Sequence, residues 1–190
     1  MEKIYIEDKT FDKTNFTVHA PAKADYEHCS FINCNFSDTR LSDIHFIECI
    51  FTGCNMSNAD LHNTTFRDAQ FKDCKLLGLH FFNGNNFLFS AGFDNCMLNL
   101  SSFYKMNLKK MQFKNSTLHD VDFTEADLSA AVFNNCDLAR ATFDTTILEK
   151  ADLSTSLNYS IDPEKNRIKK AKFSITGIAG LMDKYDIQIE

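Results

Sequence analysis

The chain has 190 residues, a net charge of −6 at pH 7, 19 Phe, no Trp, 6 Gly and 2 Pro. So few Gly and Pro exclude a loop-rich sandwich of tight hairpins, and the acidic balance argues against direct nucleic-acid binding, which rests on clustered Lys and Arg. No uncharged apolar run approaches the roughly 18 residues a spanning helix needs, and MEKIYIEDKTFDK at the amino terminus has no signal-peptide core, so a cytoplasmic protein with no membrane partner is expected.

From Tyr26 to Phe81 a bulky apolar residue recurs at every fifth position, with Phe11 and Phe16 in the same phase and Pro21 on the vacant rung. The phase slips by two residues within FFNGNNFLF, Phe81 to Phe89. It resumes at Leu88 and continues to Leu153, Phe and Leu alternating strictly from Phe93 to Leu148. Two places before each rung the residue is small, except for Ile44, Leu79, Met106, Met111 and, at the slip, Asn86. Residues two apart in extended chain share a side, so the small and the bulky residue point inward and the other three face water.

Five residues then make one short edge and one turn, and such an edge buries its apolar side only against stacked copies. Four edges closing a square require about 20 residues per coil. Residues 11–153 would give about seven coils, a rod of about 35 Å at ~4.8 Å per coil. The strict alternation predicts Phe on two opposite faces and Leu on the other two.

Cys29, Cys34, Cys49, Cys54, Cys74, Cys96 and Cys136 all fall on the small inward position. Buried free thiols are expected, with no disulfide, no zinc and no other cofactor. The histidines (His19, His28, His45, His62, His80, His119) share no spacing and are expected as solvated surface residues. No phosphate loop, nucleophile elbow or metalloprotease helix occurs, so no catalytic role is assigned. At the slip, Gly84 and its Asn neighbours tolerate positive φ and predict a bulge, which is either a tolerated insertion or a recognition feature. Phe82, Phe87 and Phe89 leave the ladder; one of them is expected to be exposed or to plug the disturbed coil.

Between Ser116 and Leu153 the acids Asp120, Asp122, Glu125, Asp127, Asp137, Asp144, Glu149 and Asp152 face only Arg140 and Lys150. Just before them stand Lys105, Lys109, Lys110 and Lys114. Two readings stay open: solubility with protection of coil edges, or a recognition surface for a basic groove.

After Leu153 the ladder stops. Ser174 is a candidate N-cap, and Ile175, Ile178, Leu181, Met182 and Tyr185 form a stripe at helical spacing, followed by Ile187 and Ile189 in alternation. The segment must cap the raw end of the rod. Capping alone, or capping with pairing to a second copy through these seven residues, are both open. The expected organisation is therefore a β-helix over 1–157 with a break near 82–87, and a short helical capping and dimerisation segment over 158–190.

The ADL tracts at Ala59 to Leu61, Ala126 to Leu128 and Ala151 to Leu153 resemble the A-(D/N)-L-x-x unit of the pentapeptide-repeat family, which implies an all-β, right-handed quadrilateral β-helix. The tail NYSIDPEKNRIKKAKFS, Asn158 to Ser174, is similar to the closing segment of family members that protect DNA gyrase: the albicidin-resistance and microcin B17 immunity types and, more distantly, the Qnr quinolone-resistance proteins. That resemblance implies a non-enzymatic homodimer joined through its tails, whose acidic rod imitates duplex DNA, binds gyrase or a related type II topoisomerase and counters a topoisomerase-poisoning antibiotic. Duplex DNA carries one charge per ~1.7 Å, so a 35 Å rod would need about twenty charges to match it, and mimicry with a net −6 is confined to one flank. The alternative is a general interaction scaffold of the same family.

Overall fold

The computed structural model describes residues 4–188. The chain winds as a four-sided parallel β-solenoid. Its edges are short strands: β1 (Tyr5–Glu7), β2 (Thr10–Asp12), β3 (Asp25–Glu27), β4 (Ser30–Ile32), β5 (His45–Ile47), β6 (Ile50–Thr52), β7 (Thr65–Arg67) and β8 (Ala69–Lys72) before the slip. After it come β9 (Ala91–Asp94), β10 (Gln112–Lys114), β11 (Val132–Asn134), β12 (Asp152–Leu153) and β13 (Lys172–Phe173). Nine of them, β2-β4-β6-β8-β9-β10-β11-β12-β13, stack into one parallel sheet that forms the first face. In chain order, the second and third faces are held by isolated bridges such as Asn35↔Asn55 and Asp122↔Thr142. The fourth face carries the four-stranded sheet β1-β3-β5-β7 before the slip and bridges such as Asp127↔Ile147 after it.

Register confirms the twenty-residue coil: Phe11 pairs with Phe31, Phe31 with Phe51 and Phe113 with Phe133. At the slip Phe71 pairs with Phe93, so the two extra residues are absorbed within one coil and the faces keep their alignment. The ladder also continues past Leu153, contrary to the expectation that it stops there. Leu153 pairs with Phe173, and Ile147 bridges to Arg167. Nine stacked strands span about 38 Å at ~4.8 Å per step, one coil more than the sequence suggested.

The interior is a column of rings. On the first face Phe31–Phe51, Phe51–Phe71 and Phe113–Phe133 stack nearly parallel at 4.8, 4.9 and 4.8 Å. After the slip Phe93 meets Phe103 edge-on at 6.2 Å from the opposite side, as the alternation predicts. Before the slip the second aromatic stack lies instead on the adjacent fourth face, where Phe46 and Phe66 stack at 5.4 Å and Phe46 meets Phe51 edge-on at 5.3 Å. Leu128 and Phe133 are both buried, as are four of the five inward exceptions, Ile44, Leu79, Met106 and Met111, while Asn86 at the slip is exposed.

Every coil turns its corners in one way: the second residue after the rung has φ near +50 to +64° in almost all cases, from Asp8 and His28 to Lys150 and Lys170. At most corners after the second and third faces, the N–H three residues beyond the rung donates to the rung carbonyl, as in Thr39 to Phe36 (3.1 Å) and Ala126 to Phe123 (3.0 Å). A hydrogen-bonded turn whose third residue has positive φ is type II.

All seven cysteines are buried free thiols. They stand at corners that lack this backbone bond, and the geometry gives them a role their burial alone did not suggest. Cys29, Cys34, Cys49, Cys54, Cys74 and Cys96 each point the thiol at a rung carbonyl one coil below, as in Cys34 Sγ to Phe11 O and Cys54 Sγ to Phe31 O, both 3.3 Å. Burial pushes the Cys49 thiol up to about 12 and that of Cys136 to about 11, so they stay protonated donors.

At the slip, two 3₁₀ turns, Phe81–Asn83 and Asn86–Leu88, replace the regular edge. Gly84 has φ −76°, so it does not supply the positive φ expected of it; its small size does matter, because a Cβ there would sit 2.8 Å from the Thr64 carbonyl oxygen. Phe89 plugs the disturbed coil against Phe81 at 5.8 Å, Phe82 is half-buried, and Phe87 is 89% exposed.

The closing segment is not the helix its spacing suggested. Ser174 does accept the Gly177 N–H at 2.9 Å, but the chain then makes only the 3₁₀ turns Ile178–Leu181 and Asp183–Tyr185. Close packing is the cause: a side chain on Gly180 would run into the Tyr159 carbonyl, and Ile161 N–H already donates to Gly180 O at 2.8 Å. Leu181 is pinned inward and the stripe splits.

Candidate protein-binding surface

The eight acids predicted as a recognition surface all point outward, but for different reasons. Asp122, Asp127, Asp137 and Asp152 each immediately precede a rung, and each carboxylate accepts the backbone N–H two residues on, at Thr124 (2.9 Å), Ser129 (3.0 Å), Ala139 (3.1 Å) and Ser154 (3.1 Å). These are Asx turns. The aspartate of the repeat unit is therefore a structural residue first.

Six of the eight face a base on a neighbouring coil, and four of these bases lie outside the acidic stretch. Asp120 is held bidentately by Arg140 at 2.7 Å, Glu125 by Lys105 at 3.4 Å, Asp127 by Lys109 at 3.1 Å, Glu149 by Arg167 at 2.7 Å and Asp152 by Lys172 at 3.0 Å; His119 lies 2.8 Å from Asp137. The Arg140 guanidinium holds the Asp120 carboxyl below its usual range, and the Ser154 hydroxyl and amide, with Lys172, do the same for Asp152. Among the described residues no ion pair involves Asp122 or Asp144; Asp122 accepts the Ser102 hydroxyl at 3.0 Å.

The acids do not form one flank. Asp152 lies on the first face, Asp137 on the second, and Asp127 and Glu149 on the fourth. The third face and its corners bring together Asp120, Asp122, Glu125 and Asp144, with Glu125 N–H bonded to Asp144 O at 2.8 Å and Asp122 bridged to Thr142. This is the densest set of the eight, and Asp144 and Glu125 are exposed.

Of the tail residues, Leu181 is buried and Met182 half-buried against the core, so neither is offered to a partner. Ile175 is 92% exposed, Ile187 58%, Tyr185 51% and Ile178 44%. Ile189 lies outside the described residues. The turn is anchored by Lys184, which reaches Asp162 at 2.8 Å and Glu164 at 2.7 Å, and by the Tyr185 hydroxyl on Glu164 at 3.0 Å.

The histidines are less scattered than their spacing implied. Three of them pair with carboxylates twenty or so residues away, because that separation is one coil: His28 with Glu48 at 3.5 Å, His45 with Asp25 at 3.0 Å, and His119 with Asp137. Glu27, His28 and Glu48 each present a ligand atom within 4.8 Å of the others, the one such set among the described residues. Linear spacing hid it; the coil length would have found it. A cleft of about 320 Å³ opens beside the slip, lined by Gln70, Phe89, Gly92, Lys109, Lys110 and Met111. No helix of the described residues is long and apolar enough to cross a membrane.

Several comparisons with known proteins bear on this rod. A pentapeptide repeat region model matches residues 24–86 and a model of eight pentapeptide repeat copies matches residues 122–156, together more than half of the chain. No curated protein matches the sequence significantly. Among solved structures, the chain is similar to a trypsin-treated form of QnrB1, a plasmid-mediated fluoroquinolone resistance protein, with a TM-score of 0.61 at 20% identity over 99% of this chain and 98% of that one. It is also similar to HetL of Nostoc sp. strain PCC 7120, a pentapeptide repeat protein involved in heterocyst differentiation regulation, with a TM-score of 0.52 at 17% identity over 90% and 84% of the two chains. At such identities the likeness is one of fold. The repeat models and the twenty-residue coil agree, and the chain belongs to the pentapeptide-repeat family.

Proposed function

We propose that this protein is a non-enzymatic binding rod that docks on a type II topoisomerase, DNA gyrase first among them, and protects it from a poisoning antibiotic. The observation that carries the reading is the third face, where Asp120, Asp122, Glu125 and Asp144 converge on a rigid edge and the last two stand exposed. End-to-end likeness in fold to a fluoroquinolone resistance protein supports it. A basic DNA-gripping surface would be drawn to such a face by steering. All four of the other acids, and Asp120 and Glu125 within this set, are paired with bases of neighbouring coils, so the mimicry is local and rests first on Asp122 and Asp144. Exposed Ile175, Tyr185 and Ile187 are the tail positions able to join two rods end to end.

The test is a supercoiling assay with purified gyrase, with and without a fluoroquinolone. The protein should relieve drug inhibition, and Asp122→Asn with Glu125→Gln and Asp144→Asn should abolish relief while leaving the fold intact, since surface changes cost little stability. A triple variant that protects as well as the parent removes the mimic reading. The second reading, a scaffold for another partner, is favoured by the pairing of six of the eight acids with bases and supported by the fold likeness to a differentiation regulator. Unchanged gyrase behaviour at every concentration would select it.

A further inference from the structure

One edge of the rod, between the fourth and first faces, changes sign halfway along. Its two outward residues per coil recur every twenty positions. Before the slip they include Glu7, Asp8, Glu27, Glu48 and Asp68 against Arg67 alone. After it they include Lys109, Lys110, Lys150, Lys169 and Lys170 against Glu149 alone. Among the described residues no ion pair involves Glu7, Asp8, Glu27, Lys110, Lys150 or Lys170. The change of sign falls at the slip, where Ser90 takes the corner position beside Asp68, its hydroxyl 2.6 Å from that carboxylate.

We infer that this edge is a self-complementary surface on which a second copy of the chain lies antiparallel, with the twofold axis at the coil of Ser90. A twofold contact places each patch against its counterpart, and here the counterparts have opposite charge. Counting coils outward from the axis, Asp68 opposes Lys110, Glu27 opposes Lys150, and Glu7 and Asp8 oppose Lys169 and Lys170. Glu48 meets the small pair Ser129 and Ala130, which permits close approach. A parallel pair would set acid on acid and base on base. The same coil carries the apolar part of the contact: Phe87, 89% exposed, and the cleft of about 320 Å³ lined by Phe89, Gly92 and Met111. Phe87 of the second copy enters that cleft. Charge sets the orientation and the Phe supplies the burial. This lateral contact is independent of the gyrase reading and of pairing through the tails.

The test uses charge reversal and the full chain. One variant carries Lys110→Glu, Lys150→Glu and Lys170→Glu; the other carries Glu7→Lys, Glu27→Lys and Glu48→Lys. All six positions are on the surface, and circular dichroism checks that both variants fold. In sedimentation velocity at low salt the parent should pair, weakening at least about tenfold when salt shortens the screening length to a few ångströms. Each variant alone should fail to pair laterally, and an equimolar mixture of the two should pair again, because the reversed positions 150 and 170 of one then face the reversed positions 27 and 7 of the other while the opposite half of the contact keeps its parent charges. A zero-length carbodiimide cross-linker should join the Lys169–Lys170 segment to Glu7 or Asp8 of another copy in the parent, and still do so in Ile175→Asp, which blocks tail pairing. Phe87→Ser should weaken the contact about tenfold or more. A mixture that stays unpaired, or cross-links confined to the tails, overturns the inference, as does a parent that binds a short DNA duplex through the lysine half and shows no lateral cross-link.

Discussion

The two halves of the rod solve the same corner differently. Before the slip, the positive-φ positions are filled by Asp8, His28, Asn33, Asp38, Asp43, Asn58, Asn63, Asp68, Asp73, Gly53 and Gly78, with Lys13 and Glu48 the departures. Asx, His and Gly enter that region at little cost. Their side chains also form ladders between coils, as in Asn63 to Asp43 at 2.9 Å and Asn58 to Asp38 at 3.3 Å. After the slip Asn95, Asn115, Asp120, Asn135 and Asn158 keep that chemistry, but the other corners hold Leu100, Lys105, Lys110, Glu125, Ala130, Arg140, Thr145, Lys150 and Lys170. There the corner between the fourth and first faces gains the backbone bond it lacked, with Met111 to Leu108, Ala131 to Leu128 and Ala151 to Leu148 at 3.1, 3.0 and 3.0 Å. A backbone-closed corner frees its side chain for other uses. The charges of interest Glu125, Lys110 and Lys150 stand on such positions.

The largest expected effect tests whether the halves share one column. Phe71→Ala and Phe113→Ala remove stacked, buried rings on either side of the slip, and each should cost about 3–5 kcal/mol in a denaturant titration. The stack continues through the slip, Phe71 to Phe93 at 5.3 Å, so both variants should unfold in a single transition. Two resolved transitions would mean that the halves are separate cooperative units.

Next in size are the thiol corners. Cys54→Ala should cost about 1–2 kcal/mol, from a lost hydrogen bond and a small cavity. Cys54→Ser should recover part of it, because Ser156 already makes the same bond to Phe133 O at 2.8 Å. Cys136, whose thiol reaches only the local Asn134 carbonyl at 3.5 Å, should lose less on truncation. Equal losses at the two cysteines would remove the distinction between a thiol that reaches the coil below and one that does not.

A smaller change is a gain. Thr145 is β-branched and held at φ 55°, an unfavourable combination. Thr145→Asn should stabilise by about 1 kcal/mol, read as a rise in thermal midpoint. The same exchange at Glu48, where His28 is a partner, should gain less.

The smallest expected effect is an order of events in acid. In the second half Asp120, Asp152, Asp162 and Glu164 are held below their usual range by Arg140, Ser154, Lys184 and Lys184 respectively. Among the described residues of the first half only Asp43, through Asn63 and Lys23, is so held. A depressed carboxyl contributes stability above the unfolded value of about 4 and loses it as pH falls through the folded value. Between about pH 4 and 2, amide exchange should therefore quicken first after the slip. Simultaneous loss in both halves would remove that asymmetry.

Much of this was legible because the period is local. A bulky residue every fifth position, with a small one two places earlier, dictated the inward face, the coil and the burial of Leu128, Phe133 and every cysteine. What spacing along the chain hides is adjacency at a distance of one coil. His28 beside Glu48, and Arg140 on Asp120, become visible only when the sequence is folded into rows of twenty, and that is why the acids looked freer and more unified than they are. The tail misled for another reason. Its apolar stripe has helical spacing, but Gly180 must pass against Tyr159, and tertiary contact overrides the pattern.

The pairing of Phe71 with Phe93 across the inserted residues has a bearing on how such a rod can lengthen or shorten. Removing one whole coil, for instance residues 114–133, takes about 4.8 Å from its length and leaves every side facing as before. Removing five residues rotates everything beyond the cut by a quarter turn and carries Asp144 to another side. The slip does neither: its residues bulge outward, and rotational phase survives. Rod length therefore comes in quanta, while loops can be added between them without turning the surface downstream, and the two can be varied separately.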